Sequence, residues 1–354
     1  MSAQTPFTQS TTGYAHDVTT PATYLEPDLP TAAGPLSGAV IAHLKCRAPR
    51  RSFIPVDAPV GDSSPWGRDL QLALYVCYEL HYRGFANVEP RWEWDPGVLH
   101  LRARLEDAFL SALQQEIGEV DASAEQEMAD LSTTPVDGTG LSYHLRDEGT
   151  WEQMREYFVH RSIYHLKEGD PHAWAIPRLS GAAKAAFVAV EFDEFGGGRA
   201  DHAHQQLFGD LLEAAGLDSR YLNYLAAVPA EALAVVNVMS LFGLHREFRG
   251  AAVGHFAATE ITSSPGSARL VDALRRMKAP EACVRFYREH VEADAVHEQV
   301  VRTDVVADLV RREPHLESDV VFGMRAFDVV EDRLAAHMMS RWTAGESSLR
   351  TPLS

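Results

Sequence analysis

Cysteine is scarce in this sequence of 354 residues, which contains only Cys46, Cys77 and Cys283. The three cysteines are odd in number and far apart, no CxxC pair occurs, and no Asn-x-Ser/Thr sequon is present, so a secreted disulfide framework has no support. The N-terminus also lacks the basic start and the apolar core of a signal peptide. We therefore expect a protein of the reducing cytoplasm.

Positive charge and long apolar runs are also in short supply. The 32 Lys and Arg residues stand against 50 Asp and Glu residues, which gives a net charge of -18. A chain with this balance repels phosphate backbones and anionic lipid heads. The longest nearly apolar run, Ala232 to Leu244, is too short to span a bilayer and predicts a buried helix instead. We expect neither a nucleic-acid partner nor a membrane partner.

The familiar motifs of nucleotide and hydrolase chemistry are missing. The sequence has no P-loop, no GxGxxG after a strand, no HExxH and no GxSxG, and it shows no internal repeat of a solenoid type. Nucleotide-binding, Rossmann-cofactor and hydrolase functions therefore have no motif to support them.

The apolar periodicity predicts an all-α fold in three parts. Residues 1–37, rich in Thr, Ser, Pro and Gly, bury too little to offset the entropy of ordering and are predicted to be a flexible leader. Residues 38–146 are predicted to form N-terminal accessory helices that end in a polar connection at 133–150, and residues 147–346 to form the core. The predicted helices span about 66–80, 96–117, 150–168, 178–195, 200–215, 229–260, 266–277, 279–311 and 316–343.

The strongest chemical signal is the segment HVEADAVH at 290–297. In an α-helix the positions i, i+4 and i+7 share one face, so His290, Asp294 and His297 point the same way. The same stripe carries Phe286, which indicates a face directed at the core, where buried polar groups require partners. A solvated helix face, or a His/Asp hydrogen bond within the core, is the alternative explanation of this pattern.

Further polar residues end apolar helical stripes in the same manner. Glu194, for example, is in line with Phe187 and Val190 at helical spacing. The residues with this pattern are Glu168, Glu194, His204 and Glu260. We predict that these side chains converge with the histidines and the aspartate of the 290–297 segment.

Carboxylates and imidazoles that converge from separate helices favour two hard or borderline cations over a single buried charge pair. Oxygen-rich ligands with some imidazole indicate iron first and manganese second, whereas a structural zinc site is usually richer in Cys. A ferritin-like bundle would carry two Glu-x-x-His motifs, and this sequence contains none. The predicted two-metal centre therefore belongs to a different helical scaffold.

With these residues in place, the sequence resembles the haem-oxygenase-like di-iron oxidases, the iron-containing redox enzymes. The resemblance is strong over about 150–310 and looser over about 66–110. The segments that carry it are HRSIYHLKEGDPHAWAIPRL at 160–179, DEFGGGR at 193–199, SLFGLHREFRGA at 240–251 and HVEADAVHEQ at 290–299. The family order of Glu, Glu, His and His-x3-Asp-x2-His falls on Glu168, Glu194, His204, His290, Asp294 and His297.

The resemblance implies a haem-oxygenase-like helical bundle with an N-terminal helical extension, with Glu260 as an additional carboxylate ligand or an acceptor beside the ligands. It implies two Fe(II)/Fe(III) ions, dioxygen, a peroxo-bridged di-ferric oxidant and an external electron donor such as a reductase. The implied reaction is N-oxygenation of an amino acid or related amine in specialised metabolism, with lysine as a candidate. Oxidative carbon–carbon cleavage or desaturation of an amino or fatty acid is the alternative, and a non-catalytic helical binding or metal-storage protein is the alternative from another class. A homodimer is left open.

Other conspicuous residues receive more ordinary interpretations. Arg246 and Arg249 are candidates for clamping a substrate carboxylate, although salt bridges to the many acidic residues explain them equally well. Cys283 is read as a core thiol. The residues read as structural or surface groups are Glu79, His81, His160, His165, His172, His202 and His255.

Overall fold

A computed structural model describes residues 26–46, 58–133 and 137–353. Within those ranges the chain contains helices and no strand, so the predicted all-α fold is confirmed. The helices are α1 (Pro35–Leu44), α2 (Arg68–Glu79), α3 (Pro96–Ile117), α4 (Ala124–Leu131), α5 (Leu141–Asp147), α6 (Trp151–His165), α7 (Asp170–Ala173), α8 (Gly181–Glu194), α9 (His204–Ala214), α10 (Ala230–Leu244), α11 (Arg249–Met277), α12 (Glu281–Val300), α13 (Ala307–Arg312) and α14 (Glu317–Thr343).

Helix α1 overlaps the end of the predicted leader. Its first turn is capped by Asp69, whose carboxylate accepts hydrogen bonds from the amides of Leu36 and Ser37, each at 2.8 Å. Both of these residues are fully buried. The predicted boundary at residue 37 is therefore too late, because the chain is already helical and packed from Pro35. The first 25 residues of the predicted leader lie outside the described residues.

The N-terminal helices share one hydrophobic core with the rest of the chain. Helix α2 is buried along nearly its whole length and packs against α1, α3 and α10. The apolar cluster to which it belongs runs from Leu36 to Leu349. Helices α2 and α3, which the sequence places in an accessory region, thus support the later helices directly.

Two helix boundaries of the central segment differ from the prediction. The predicted helix over 229–260 is interrupted, since α10 ends at Leu244 and α11 begins at Arg249. Conversely, no break occurs before residue 266, because α11 continues through Pro265 to Met277. The predicted polar connection at 133–150 is also wrong in part, since it contains α5.

Helix α11 is the centre of the later bundle and packs against α5, α12 and α14. Its contact with α14 is made backbone to backbone. A Cβ atom added to Gly254 would lie 1.8 Å from the carbonyl oxygen of Val320, and one added to Gly323 would lie 2.1 Å from that of Ala251. Only glycine fits at these two positions, so the separation of the two helices is set by their main chains.

The helical segment predicted over 279–311 is present as α12, a π-helical segment Val301–Val306 and α13 in direct succession. The predicted end of the core at residue 346 is too early. The amide of Ser348 donates a hydrogen bond of 2.8 Å to Glu156 on α6, and Leu349 is buried. Among the described helices, none combines the length and apolar character that crossing a bilayer requires.

Candidate metal centre

The candidate ligands come from five separate stretches of the chain. Glu168 lies in the turn after α6, Glu194 is the last residue of α8, and His204 is the first residue of α9. Glu260 lies in the middle of α11, and α12 contributes the face predicted from the 290–297 segment. Every one of these side chains is buried.

The connection between α8 and α9 explains how Glu194 and His204 meet. It turns through three successive glycines with positive φ, of which Gly196 has a φ of 71°. A Cβ atom at Gly196 would lie 2.4 Å from the amide nitrogen of Ala203. The tight return therefore requires glycine, and it places the end of one helix beside the start of the next.

The structure brings the predicted residues together in two groups that share one carboxylate. The ligand atoms within each group all lie within 4.8 Å of one another. The first group is Glu168, Glu194, His204 and His290, and the second is Glu194, Glu260, Asp294 and His297. Glu194 is therefore common to both groups, as a carboxylate that bridges two cations would be.

In the first group, imidazole nitrogens point at carboxylate oxygens. Nδ1 of His204 lies 2.8 Å from Oε2 of Glu194, and Nε2 of His290 lies 3.5 Å from Oε1 of Glu168. The Nδ1–H group of His290 donates a hydrogen bond of 2.8 Å to the carbonyl oxygen of Phe286. That bond keeps a proton on Nδ1, so Nε2, which faces the centre of the group, is the nitrogen available to a cation.

The second group is arranged around His297. Its Nδ1 atom lies 3.2 Å from Oε2 of Glu260 and 3.4 Å from Oδ1 of Asp294. Its Nε2–H group donates to Oδ2 of Asp193 at 3.1 Å, a carboxylate that is 57% exposed. Asp193 thus orients the imidazole from the outside, in the way that carboxylates orient metal-bound histidines. Asp193 was not identified from the sequence.

Several buried atoms of the two groups form no hydrogen bond of acceptable geometry, although carboxylate oxygens lie close to the two imidazole nitrogens among them. They are Oε2 of Glu168, Nδ1 of His204, Nε2 of His290 and Oδ1 of Asp294. Buried polar atoms without partners cost folding free energy and are rare. These four atoms are all possible metal ligands, and they belong to the two groups described above. The four carboxylates of the two groups would be neutralised by two divalent cations. The residues present therefore fit a two-metal centre of iron or manganese.

The electrostatics of His290 show how strongly the first group favours positive charge. Burial lowers the pKa of its imidazole, but Glu168, Asp294 and Glu194 outweigh burial and raise that pKa to about 10. An imidazole with this pKa holds a proton at neutral pH unless another cation replaces it. Metal binding at this site would therefore release protons.

The second group has the same character. Burial raises the pKa of the Glu260 carboxyl to about 8, although His297 acts in the opposite direction. Burial lowers the pKa of the His297 imidazole, but Asp294, Glu260 and Asp193 together raise it to about 11. The carboxylates of the second group thus hold protons tightly, and a bound cation would replace those protons.

Two further residues beside the centre were not singled out as site residues by the sequence. The Nδ1–H group of His165 donates a hydrogen bond of 2.7 Å to Oε1 of Glu168 and so holds that carboxylate. Glu191, one turn before Glu194, is buried with neither oxygen bonded, and burial together with Glu194 and Glu260 raises its pKa well above the ordinary value. Its place at i+4 from the buried Phe187 was the signal that could have identified it.

The remaining candidates lie elsewhere. The structure does not bring Arg246 or Arg249 to either group: Arg246 is exposed in the link before α11, and Arg249 forms an ion pair with Glu313. Arg249 begins α11 and lies eleven residues before Glu260, which corresponds to roughly 16 Å along the helix. Cys283 is buried with Sγ near the carbonyl oxygen of Leu211, as expected for a core thiol.

The other histidines read as structural from the sequence also lie outside both groups. His160 contacts the hydroxyl of Ser348, and His172 contacts His255. His81 contacts Glu93, while the imidazole of His202 is 38% exposed. These residues behave as hydrogen-bonded or surface imidazoles.

Fold and site together define an all-α protein with two adjoining buried groups of possible metal ligands that share one carboxylate. The chain belongs to the family of iron-containing redox enzymes, whose sequence model matches residues 155–332 and so includes every candidate ligand. The chain is therefore an oxidoreductase by family, and the haem-oxygenase-like helical fold expected from the sequence is confirmed.

A characterised relative is the nitrosourea synthase of Streptomyces achromogenes subsp. streptozoticus, to which this chain is similar. The two are 26% identical over 249 residues, which cover 70% of this chain and 48% of that enzyme. This chain thus spans about half the length of the relative that it matches.

Proposed function

We propose that this chain is a non-haem di-iron, O2-dependent N-oxygenase that acts on the amino group of an amino acid or a related amine. The observation that carries the proposal is the pair of buried groups that share Glu194. Nitrosourea synthase takes its name from a product class with an oxygenated nitrogen, which supports the same type of chemistry here.

The chain's own residues would hold the two irons and keep their surroundings fixed. Glu194 would bridge, with His204 and His290 on one side and His297 on the other. When bound, two irons supply Lewis acidity and the electrons for activating dioxygen, and an external donor restores them. The hydrogen bonds from His290 to Phe286 and from His297 to Asp193 keep the imidazoles oriented.

Aromatic side chains shield the first group from water. The ring of Phe286 lies 4.5 Å from that of His290 and 5.0 Å from that of Phe208, which in turn lies 4.8 Å from His165. These phenylalanines are buried. A dry wall of this kind strengthens electrostatic interactions inside the site and limits the loss of a reactive oxidant to water.

Charged groups in the wall of the adjoining cavity support an amine over a fatty acid as the substrate. That cavity, about 400 Å³ in volume, reaches Glu168 and His290 and is also lined by Arg161, Asp328 and Glu331. Arg161 and Glu331 pair with each other, but an alkyl chain placed against Asp328 would leave that carboxylate without a partner. Oxidative cleavage or desaturation of a lipid chain is therefore the weaker alternative.

The test is anaerobic Fe(II) titration followed by rapid mixing with oxygen and with a panel of amines, amino acids and fatty acids. We expect two irons per chain and an amine-dependent acceleration of oxygen consumption that yields an oxygenated nitrogen. Asp294→Ala should abolish turnover with most of the helical circular dichroism retained. Glu292→Ala, an exposed carboxylate on the same helix, is the matched control and should behave as the wild type. Iron uptake with no organic substrate would instead indicate metal storage, and no iron uptake would end the proposal.

A further inference from the structure

The cavity beside the candidate metal centre has a second, charged end. Its lining includes Glu168, His165 and His290 at one side, and residues of α14 and of the start of α5 at the other. On α11, the lining extends from Thr259, next to Glu260, to Leu270, and this separation of eleven residues corresponds to roughly 16 Å along the helix axis. The cavity is therefore long enough for a substrate with two functional ends.

Three carboxylates of α14 line the far end. They are Asp328, Glu331 and Asp332, and the last two lie three and four residues after Asp328 and so flank the same face of the helix. Glu331 is already neutralised, since Arg161 donates two hydrogen bonds of 2.6 Å to its two carboxylate oxygens. The other two carboxylates are not compensated in this way.

Asp328 and Asp332 have no cationic side chain within 4 Å among residues 26–46, 58–133 and 137–353. Arg325, one turn away, is bound through two hydrogen bonds to Glu127 instead. Arg269, the other guanidinium in the cavity wall, donates to Ser142. The carboxylates of Asp328 and Asp332, four residues apart, repel each other, and a cation bound between them would relieve this repulsion.

A second observation points to a ligand in the same cavity. Tyr287 lines it and is only 3% exposed, and its buried hydroxyl group has no hydrogen-bond partner. Burial raises the pKa of this phenol well above its ordinary value, so the hydroxyl stays protonated and able to donate. A buried hydroxyl without a partner is unfavourable unless a bound molecule or water satisfies it.

We propose that this cavity is the substrate site and that Asp328 and Asp332 bind a second cationic group of the substrate, while the nitrogen to be oxygenated lies beside Glu168 and His290. The substrate class is then a linear diamine or diamino acid rather than a monoamine. This inference rests on the proposed function for the reaction, but the binding of the dication depends on the cavity alone.

The test compares two amines of equal chain length, cadaverine and pentylamine, by calorimetric titration of the iron-loaded full-length protein without oxygen at pH 8. We expect cadaverine to bind about tenfold more tightly, which corresponds to about one partly buried ion pair. Asp328→Asn and Asp332→Asn should each reduce this preference to about threefold or less. Asp272→Asn, which removes an exposed carboxylate of α11 outside the cavity, should leave it unchanged.

Equal affinity for the two amines in the wild type, no binding of cadaverine, or an unchanged preference in both aspartate variants would overturn the inference. Iron content and oxygen consumption, measured on the same samples, separate its failure from that of the proposed function. A preference for the dication without iron or oxygen uptake would preserve the amine site and refute the oxygenase. Iron-dependent oxygen uptake without that preference would do the reverse.

Discussion

Lys167 and Glu79 form a fully buried ion pair, with Nζ 2.8 Å from Oε2 and side chains 1% and 0% exposed. Glu79 ends α2, while Lys167 immediately precedes Glu168 of the first metal group. The ammonium group also lies 4.6 Å and 4.3 Å from the ring centroids of Tyr75 and Tyr82. The N-terminal helices therefore hold the turn that presents a candidate ligand.

We predict that Lys167→Met destabilises the protein by about 3 to 5 kcal/mol, because it leaves the Glu79 carboxylate buried without its cation. The free energy of unfolding in urea checks this value. The double variant Lys167→Met/Glu79→Gln should lose less than the sum of the single losses, since neither charge then remains unpaired. Lys184→Met, which removes a lysine of α8 that forms no ion pair among the described residues, serves as the control. Similar small losses of unfolding free energy in Lys167→Met and Lys184→Met would show that the ion pair does not stabilise the fold.

Glu194 is expected to control both metal sites. Glu194→Ala should reduce iron from two per chain to fewer than one, because the carboxylate belongs to both groups. His204→Ala removes a ligand of the first group only and should leave about one iron bound, since the four residues of the second group remain. Metal analysis of desalted protein after anaerobic loading gives the answer. One iron retained by both variants would mean that Glu194 does not bridge.

Helix α12 should depend on metal for its order. It brings His290, Asp294 and His297 to one buried face. Burying these three polar side chains costs free energy, which a bound cation would offset. We expect amide hydrogen exchange of residues 285–300 to slow markedly on iron loading. Peptides of α3, which contributes no ligand, provide the internal reference. Equal protection of 285–300 in the metal-free and loaded protein would contradict this expectation.

The pH dependence of the unfolding free energy should reveal the raised pKa of Asp328. Burial, followed by Asp332, Glu127 and Glu331, raises the pKa of its carboxyl from 3.8 to about 7. Between these two values the folded state binds more protons than the unfolded state, so this group lowers the unfolding free energy as the pH rises. Asp328→Asn should therefore match the wild type near pH 4 and exceed it by roughly 1 to 2 kcal/mol at pH 8, after allowance for solvent screening.

Urea unfolding at several pH values measures this difference. An offset that does not change with pH would show that the carboxyl titrates normally. A growing advantage of the variant would mean that the wild type retains a destabilising carboxylate, as functional sites often do.

The candidate ligands could be predicted because each of them interrupts an apolar stripe at helical spacing, a signal that local sequence contains. Asp328 and Asp332 gave no such signal, since an acidic residue on the polar face of a long helix looks like ordinary solvated charge. Lys167 was equally invisible. Its partner Glu79 lies 88 residues earlier in the chain, and nothing near either residue indicates the other.

The boundaries of α1, α10 and α5 were predicted wrongly for one physical reason. Side chains from distant parts of the chain form hydrogen bonds with the backbone groups at these helix ends. Asp69 caps the start of α1. At the end of α10, the guanidinium of Arg178 donates to the carbonyl oxygens of Gly243 and Leu244. Arg276 does the same for Leu145 at the end of α5. Local capping signals cannot reveal partners supplied from elsewhere in the fold.

The predicted break between residues 260 and 266 is an error of the opposite kind. Pro265 lies in this interval, and proline removes one backbone donor and crowds the preceding turn. In the structure, α11 continues because its neighbours α5, α12 and α14 pack along it on both sides of the proline. Tertiary packing here outweighs the local preference.

The glycine contact between α11 and α14 limits how the cavity could be re-engineered. Both helices contribute to its wall, and Gly254 and Gly323 lock their main chains together. The two helices cannot move apart to accommodate a larger substrate. The cavity can therefore be enlarged only by substituting smaller side chains for residues such as Phe327, which lines it. Directed evolution toward larger amines should accordingly accumulate small residues facing the cavity and leave both glycines untouched.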